Sequence, residues 1–579
     1  MGNIVILIIL IILIVIVIII PIVLLIITKS NNNICDNFST GHGFDNNGNI
    51  PTIKHSKKIK NQPFRSFIPF LDKNDDLPRK NKLLPGSFNF KKYSSPYNAL
   101  NYRKTPDRIY FPKHANEIVN LVQQIVRGIE INKQNNNKFY WTNILKIVVK
   151  GGGHSYTNLS SCEGCQNVYL NKMTKTTLNY AQGGARLIHV YETLKKYGRT
   201  FPGGTCATVG LAGLSLGGGY GFLSRAYGFS CENINSADII TYDPTKSKYC
   251  LQHIGKKSQQ DKKELFNMLM GAGHNTFGIV TKFYINTVPL PPLTVYFTSF
   301  CKNKYNNKKD FIKYWTFIHN NLIKLSESNN NIFDCISFAF KIWPTRSNNI
   351  IQIQGQCIQH SEENAKKLIN LLVNYITADY FNDIEFHPFT DYEKILELWD
   401  GGPAYSFPSG QINKFYETHP TFNHMSILIE SKKIDFGLLW DYLLSEDSIQ
   451  KAKQITGKNS WNMILAIDVY PRKKLGSSDS IFKKFTSSYG ILGQVQYMNY
   501  LPSNKNTGSN IDNCDNAELI KKKIDYQTNI WENSIVNNMG KYQYSNYPSL
   551  YSPNTYFPNQ IVEKIKKLKK TFDPLNIFI

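Results

Sequence analysis

The sequence is poor in cysteine. Ten cysteines are spread over 579 residues, which is too dilute for a small scaffold held together by disulfides. Cys162 and Cys165 form the one closely spaced pair, and no second such pair or pair of histidines completes a zinc-binding set. We therefore predict no metal site. A local disulfide and two ordinary thiols both stay open for Cys162 and Cys165.

Two widespread nucleotide-binding signatures are also missing. No Gly-x-x-x-x-Gly-Lys-Ser/Thr segment occurs, which excludes a P-loop. The glycine-rich stretches do not read Gly-x-Gly-x-x-Gly with an acidic residue about twenty positions further on, as a Rossmann fold would require. If the protein binds a phosphorylated cofactor, it does so by another fold.

Acidic residues are fewer than basic ones. The chain has 42 aspartates and glutamates against 67 lysines and arginines, a formal net charge of +25. The basic residues are scattered among Asn, Ile and Tyr and do not collect on one recognisable face, so nucleic-acid binding is not predicted. Attraction to an anionic membrane surface is the more plausible use of this charge.

One long apolar run stands near the start of the sequence. Every residue from Ile4 to Ile27 is apolar, and at about 1.5 Å per residue the run would cross a hydrocarbon core of about 30 Å. A cleaved signal peptide is the rival interpretation, but the basic start and small-residue cleavage site that it needs are not found. We expect a retained single-pass anchor, with its orientation left open, followed by a linker over residues 29–92.

The stretch from Phe201 to Ser230 is rich in glycine and almost uncharged. Glycine destabilises a helix interior by about 1 kcal/mol, so an ordinary amphipathic helix is not predicted here, and the stretch is too apolar for a solvated linker. Bare backbone N–H groups can instead approach a large phosphorylated ligand. A second glycine-rich segment, Gly151–Ser155, lies about fifty residues earlier. We interpret the two as a cofactor-binding bed.

Elements of both kinds alternate around these glycine-rich segments. Helical periodicity runs from His114 to Ile129 and from Leu187 to Tyr197. Leu145–Val149 and Val168–Leu170 read as strands, and a third strand ends at Tyr180–Gln182. Strands that alternate with helices indicate an α/β layout.

Several segments, taken in order, resemble one protein family. They are Lys150–Tyr156 (KGGGHSY), Gly204–Gly221, Arg225–Asp238, Leu265–Val280 and Tyr556–Phe578. Each is similar to a signature of the berberine-bridge-enzyme-like, oxygen-dependent FAD-linked oxidoreductases of the vanillyl-alcohol-oxidase group. The resemblance covers roughly residues 95–579 and is strongest before residue 290 and at the tail.

This resemblance implies an α+β fold: a two-part α/β FAD-binding domain of the PCMH type, and a substrate domain with an antiparallel sheet backed by helices. With the anchor at residues 1–28 and the linker at 29–92, the implied boundaries are 93–288 for the first part of the FAD-binding domain, 289–515 for the substrate domain and 516–579 for the C-terminal return.

The resemblance also assigns the cofactor site. It implies FAD bound covalently through His154 and Cys206, because a nitrogen and a sulfur nucleophile can attack the oxidised ring. The remaining expected FAD contacts are Gly151, Gly152, Gly153, Ser155, Thr208, Val209, Gly210, Gly213, Gly217, Gly218, Gly219, Gly221, Asn233, Gly278 and Asn546. Val209 would also leave room for O₂ beside the ring, which favours an oxidase.

The implied catalytic residues are three. Tyr544, in a Tyr-x-Asn-Tyr motif, is the expected base, and Tyr220 and Gln496 are expected beside it. A phenol has a pKa of about 10, so it needs local help to act as a base near neutrality. The lysine that often gives this help in the family is replaced here by Gln494.

The expected reaction is removal of a proton from a substrate hydroxyl with hydride transfer from the adjacent carbon to FAD, and O₂ as the final acceptor, giving H₂O₂. Sugars, oligosaccharides and aromatic alcohols are the expected substrates. The alternatives are a dehydrogenase with another electron acceptor, a membrane surface protein that keeps the fold as a scaffold, and a thiol oxidase that uses Cys162 and Cys165.

Overall fold

The computed structural model describes residues 82–85, 89–95, 97–98, 104–134, 143–274, 276–301, 307–342, 351–381, 383–399, 422–456, 462–472, 479–500, 514–548 and 556–579. The fold and site below lie within residues 61–501 and 526–579, which form one compact unit. The predicted anchor and most of the predicted linker lie outside the described residues. Among the described residues, no helix combines the length and the hydropathy that a bilayer crossing requires.

The first sheet carries the earlier glycine-rich segment at the end of a strand. Its four strands run in the spatial order Lys82–Leu83, Arg108–Tyr110, Gln166–Tyr169 and Ile147–Lys150, and the last three are mutually parallel. The helix Ala115–Gln134 buries Ile118, Val122 and Ile125 in a core that contains residues of this sheet and of the second sheet described below. Those side chains recur every three or four residues, which is why this segment is helical. Lys150 is the last residue of the strand Ile147–Lys150 and is followed directly by Gly151.

The strands of the second sheet lie between residues 180 and 285. This sheet is antiparallel, with the order Tyr180–Gln182, Ile279–Ile285, Ile234–Asp243 and Lys248–Gly255. The helices Leu187–Lys195 and Gln260–Ala272 bury apolar side chains in one core with this sheet. A two-stranded ribbon joins Arg199–Thr200 to Val288–Pro289.

The glycine-rich stretch is folded back on itself. It contains a six-residue helix, Leu211–Leu216, which sequence reasoning did not predict, and a shorter helical turn, Ser224–Tyr227. A Cβ added at Gly152 would lie 2.2 Å from the backbone nitrogen of Gly210. The two glycine-rich segments therefore touch backbone to backbone, and only glycine permits that approach.

A seven-stranded antiparallel sheet follows. Its order is Glu385–Phe389, Leu293–Cys301, Ile351–Gln359, Ile336–Ile342, Asn462–Val469, Ile491–Tyr500 and Phe422–Glu430. The helices Lys308–Glu327 and Glu362–Thr377 pack into its core. Each begins at a side-chain cap, Asn307 and Ser361, that accepts a backbone N–H of the first turn.

Further helical segments of the described residues are between three and 17 residues long. They are Phe90–Ser94, Asn143–Leu145, Ser230–Asn233, Ala378–Tyr380, Tyr392–Trp399, Phe436–Leu439, Trp440–Leu444, Glu446–Thr456, Ile481–Ser488, Cys514–Ile530, Trp531–Val536 and Asn537–Met539.

The C-terminal tail returns to the first sheet. After the helix Asn559–Phe572, Ile577 accepts a hydrogen bond from the Ile147 N–H through its carbonyl (2.8 Å). Asp573 organises the turn: its carboxylate accepts the Tyr249 hydroxyl at 2.7 Å and the N–H groups of Ile577 and Phe578. The last residues thereby hold the strand that leads into the glycine loop.

Candidate active site

One cavity of about 400 Å³ collects most of the predicted site residues. The two glycine-rich segments, the seven-stranded sheet and residues 545–548 all contribute to its lining. The predicted residues that line it are Gly151, Gly152, Gly153, His154, Ser155, Cys206, Val209, Gly210, Gly213, Tyr220, Gly221, Gly278, Gln496 and Asn546.

His154 is fixed in orientation by two contacts. Its Nε2 lies 2.7 Å from the hydroxyl oxygen of Thr208, and its ring stacks on Tyr97 at 4.2 Å between centroids. Thr208 is fully buried and does not line the cavity, so it contacts His154 from outside the cavity. Cys206, two residues before Thr208, lines the same cavity. A nitrogen and a sulfur nucleophile thus share one space.

The glycine walls leave room for a ligand. A Cβ added at Gly213 would meet nothing within 4 Å, and one at Gly151 would make only ordinary van der Waals contacts. Both positions therefore face open cavity, whereas Gly152 is closed by Gly210. The residues present fit a large cofactor that lies against the main chain.

Besides Thr208, four predicted cofactor contacts lie outside the cavity lining, namely Gly217, Gly218, Gly219 and Asn233, and their assignment to the cofactor stays a prediction. The Asn233 amide donates to the carbonyls of Tyr227 and Phe229, so it holds a turn together. Added Cβ atoms at Gly217, Gly218 and Gly219 would strike Asn546, Phe482 and Ser230 respectively. These glycines are required by close packing beneath the cavity.

Tyr544 also differs from its predicted role. Its hydroxyl accepts hydrogen bonds from the N–H of Gly219 (2.9 Å), the N–H of Tyr220 (3.1 Å) and the Asn546 amide (2.8 Å). It is 1% exposed and does not line the cavity, and burial raises its pKa. Tyr544 therefore supports the glycine-rich stretch from below, and we do not retain it as the base.

The second tyrosine of the same motif faces the cavity. Tyr547 lines the cavity, and its ring stacks on Tyr156 with centroids 5.5 Å apart. Burial first, and then the nearby Tyr156 and Asp468, raise the pKa of Tyr547 well above its usual value. A turn, in which the Tyr547 N–H donates to the Tyr544 carbonyl at 2.9 Å, separates the two side chains.

Asp468 was missed by sequence reasoning. It is the only carboxylate that lines the cavity among the described residues. Its Oδ2 accepts hydrogen bonds from Gln494 (2.8 Å) and Gln496 (2.9 Å). Burial raises its pKa, although both glutamine bonds and Lys341 oppose this shift. A single acidic residue inside the apolar strand Asn462–Val469 was the available signal.

Strand register explains how these polar groups meet. Asp468 pairs with Gln494 on one side and with Ala339 on the other. Lys341, two residues after Ala339, pairs with Ala466, which in turn pairs with Gln496. Because side chains alternate along a strand, these groups project from the same face of the sheet. That face forms the polar wall of the cavity.

Tyr220 lines the cavity but is already engaged. Its hydroxyl donates to the Val469 carbonyl at 3.3 Å. Burial raises its pKa well above the usual value, with a further contribution from Asp468 that Arg225 opposes. Tyr220 is therefore a protonated group at the edge of the polar wall.

Comparison with known proteins identifies the fold and the cofactor. A family of FAD binding domains matches residues 136–245. YgaK of Bacillus subtilis, described as an uncharacterized FAD-linked oxidoreductase, is 26% identical over 76% of this chain and 86% of its own length. A xylooligosaccharide oxidase of Thermothelomyces thermophilus is 35% identical over 30% of this chain, which is 34% of that enzyme. The structure of Physcomitrella patens BBE-like 1 superposes with a TM-score of 0.61 at 21% identity, over 86% of this chain and 95% of that one.

These matches confirm the resemblance to the berberine-bridge-enzyme-like FAD-linked oxidoreductases that the sequence motifs indicated. The fold shared with these solved structures confirms the predicted mixed α/β architecture, and the matched FAD binding domain supports FAD as the cofactor.

The structure does not favour the alternative of a thiol oxidase that uses Cys162 and Cys165. Cys162 and Cys165 form a disulfide that packs against Val148. Neither residue lines the flavin cavity. Among the described residues no group of His, Cys, Asp and Glu could hold a metal ion. The Cys162–Cys165 bridge is thus a local structural feature.

Proposed function

We propose that this FAD-linked oxidoreductase oxidises a CH–OH group of a sugar or oligosaccharide and uses O₂ as the electron acceptor. The observation that carries the proposal is one cavity lined by His154 and Cys206 together with Asp468, Gln496 and Tyr547. A candidate flavin-anchoring pair and an acid–base cluster within the same space suit alcohol oxidation, which needs a positioned hydride acceptor and a base. The xylooligosaccharide oxidase supports the substrate class.

FAD, when bound, would supply the hydride acceptor for the substrate carbon and the route by which electrons reach O₂ to give H₂O₂. We propose that His154 and Cys206 each bond covalently to it. Because Thr208 engages Nε2 of His154, the imidazole bond would form through Nδ1. Val209 lines the cavity three residues after Cys206, and its small side chain leaves access for O₂.

Tyr547 and Asp468 would act together as the base. Burial raises the pKa of Tyr547, so its phenol can take the substrate proton only while its own proton moves elsewhere. Gln494 and Gln496 both hold Oδ2 of Asp468, which leaves Oδ1 to receive that proton. The raised pKa of Asp468 makes it a better proton acceptor than an exposed aspartate.

The rest of the wall suits a polyhydroxylated substrate. Gln354 and Lys341 offer hydrogen-bonding groups on the sheet side, and the rings of Tyr156 and Phe222 line the same cavity. Polar groups that fix orientation beside apolar rings are typical of small-molecule sites.

The test combines flavin release with peroxide formation. Acid precipitation of the wild type should leave all flavin on the protein, each of the variants His154→Ala and Cys206→Ala should keep one bond, and the double variant should release its flavin. A panel of mono- and oligosaccharides should yield H₂O₂, and stopped-flow mixing of the reduced enzyme with air should show rapid reoxidation. Slow reoxidation would favour a dehydrogenase instead.

We also propose that residues 4–27 anchor the enzyme to a membrane, on the basis of their unbroken apolar character. Carbonate extraction of membranes from expressing cells tests this. Recovery of the full-length protein in the soluble fraction would contradict the anchor without affecting the proposed chemistry.

A further inference from the structure

Two cysteines outside the cavity lie close together in the seven-stranded sheet. The sulfur atoms of Cys335 and Cys357 are 3.8 Å apart. Cys335 immediately precedes the strand Ile336–Ile342, and Cys357 lies opposite Ile336 in the adjacent strand. A disulfide brings sulfurs to about 2.05 Å, so side-chain rotation with a small backbone shift would close this gap.

The two sulfurs differ in environment. Cys357 is fully buried, whereas Cys335 is partly exposed. The Gln359 amide donates to Sγ of Cys335 at 3.7 Å. The Cys335 thiol can therefore react with a dissolved oxidant, and the buried Cys357 thiol lies next to it. This asymmetry is what a pair of attacking and resolving thiols requires.

Hydrogen bonds to Cys335 favour its thiolate. Hydrogen bonding by Cys357 lowers the pKa of Cys335 to about 7, with burial and Asp334 opposing. The Asp334 carboxylate is neutralised by the guanidinium of Arg472, with contacts of 2.5 and 2.6 Å. The buried guanidinium of Arg225 interacts electrostatically with Cys335 and donates to the carbonyl of Ile336. Thiolates are the reactive form towards peroxides.

We propose that Cys335 and Cys357 form a peroxide-reactive dithiol site that closes to a disulfide. The Cys335 thiolate attacks one oxygen of H₂O₂: an S–O bond forms, the O–O bond breaks and hydroxide leaves as water after protonation. The Cys357 sulfur then attacks Sγ of Cys335: the S–S bond forms, the S–O bond breaks and a second water leaves. Two thiols are oxidised and one peroxide is reduced.

The site has a consequence for the cavity. The strands that it would cross-link, Ile336–Ile342 and Ile351–Gln359, carry Lys341 and Gln354 into the cavity lining. That H₂O₂ arises at this protein rests on the proposed function; reactivity towards added H₂O₂ does not. The test therefore has two arms that fail independently.

In the first arm, the reduced full-length protein receives one equivalent of H₂O₂ and is digested without reductant. We expect loss of two free thiols and a Cys335–Cys357 cross-linked peptide that is lost again on reduction. Cys357→Ser should stop at a Cys335 sulfenic acid that dimedone traps, and Cys335→Ser should leave Cys357 unmodified. Cys250, a partly exposed thiol in the strand Lys248–Gly255, is the internal control and should stay reduced.

Equal oxidation of Cys250 and Cys335, or a Cys335–Cys357 bond that reductants do not open, would overturn the proposal. In the second arm, turnover with substrate and O₂ replaces added peroxide. Peroxide detected without the cross-link would also overturn it. A cross-link with added peroxide, when turnover gives no peroxide, supports the dithiol site and refutes the oxidase.

Discussion

The two walls of the cavity differ in how they are built. The flavin wall comes from two continuous segments, Gly151–Ser155 and the glycine-rich stretch, whose backbones touch where Gly152 meets Gly210. The polar wall comes from side chains on separate strands, brought together by register: Lys341, Asp468 and Gln496 belong to three strands. The backbone contact of the flavin wall requires glycine at particular positions of the sequence. The register of the polar wall requires only that the strands can pair with one another.

This difference has a chemical counterpart. On the flavin wall the main chain supplies the surface, and side chains such as His154 are the proposed covalent anchors. On the polar wall the side chains supply everything, and their protonation depends on one another through Asp468. Substitutions in the first wall should therefore affect cofactor loading and folding, and those in the second should affect turnover and its pH dependence.

The largest effect is expected for Asp468→Asn. An amide of the same shape cannot take a proton, so kcat should fall by about 10²- to 10⁴-fold, the usual share of general acid–base catalysis. Flavin content and thermal unfolding should stay near those of the wild type. Asp479→Asn, at an exposed aspartate paired with Lys484, is the control. Unchanged turnover in Asp468→Asn would show that Asp468 is not the proton acceptor.

The next comparison separates Tyr547 from Tyr544. Tyr547→Phe should lower kcat about 10²-fold with little change in stability, because its hydroxyl faces the cavity. Tyr544→Phe should cost about 1–3 kcal/mol of unfolding free energy, because it leaves buried N–H groups without an acceptor, while the folded fraction keeps its turnover. Denaturation curves and steady-state rates on both variants decide. The reverse pattern would restore Tyr544 as the base.

These two tyrosines also show where sequence reasoning stops. The Tyr-x-Asn-Tyr motif was recognisable, but a turn sends one ring beneath the glycine run and the other into the cavity. His154 and Cys206 were found because each lies within a distinctive local pattern. Asp468 was not found, because its role depends on its pairing with Gln494, which lies 26 residues further along the sequence in another strand. Helix and strand positions were predictable from periodicity; register was not.

A pair of glycines tests the flavin wall. Gly152→Ala would place a methyl group 2.2 Å from the Gly210 nitrogen, and such overpacking should cost about 1–3 kcal/mol or more. Gly213→Ala meets nothing within 4 Å, so the fold should be unaffected, while the added methyl occupies space that FAD uses. We expect a lowered Tm and low yield for the first, and a normal fold with reduced flavin content for the second. Equal Tm losses would contradict the assignment of Gly213 to open cavity.

The smallest effect concerns the pH dependence that Lys341 imposes. The Lys341 ammonium lowers the pKa of Asp468 and so opposes the upward shift from burial. In Lys341→Met this opposition is lost, the pKa of Asp468 rises, and a smaller fraction of it is ionised at any acidic pH. Since the proposed base needs ionised Asp468, the acid limb of the kcat/KM profile should move to higher pH, with rates converging on the wild type above it. Lys246→Met, at an exposed lysine, should leave the limb in place. An acid limb that stays put or moves down in Lys341→Met would show that Asp468 and Lys341 titrate independently, and would return the proton-accepting role to the tyrosines alone.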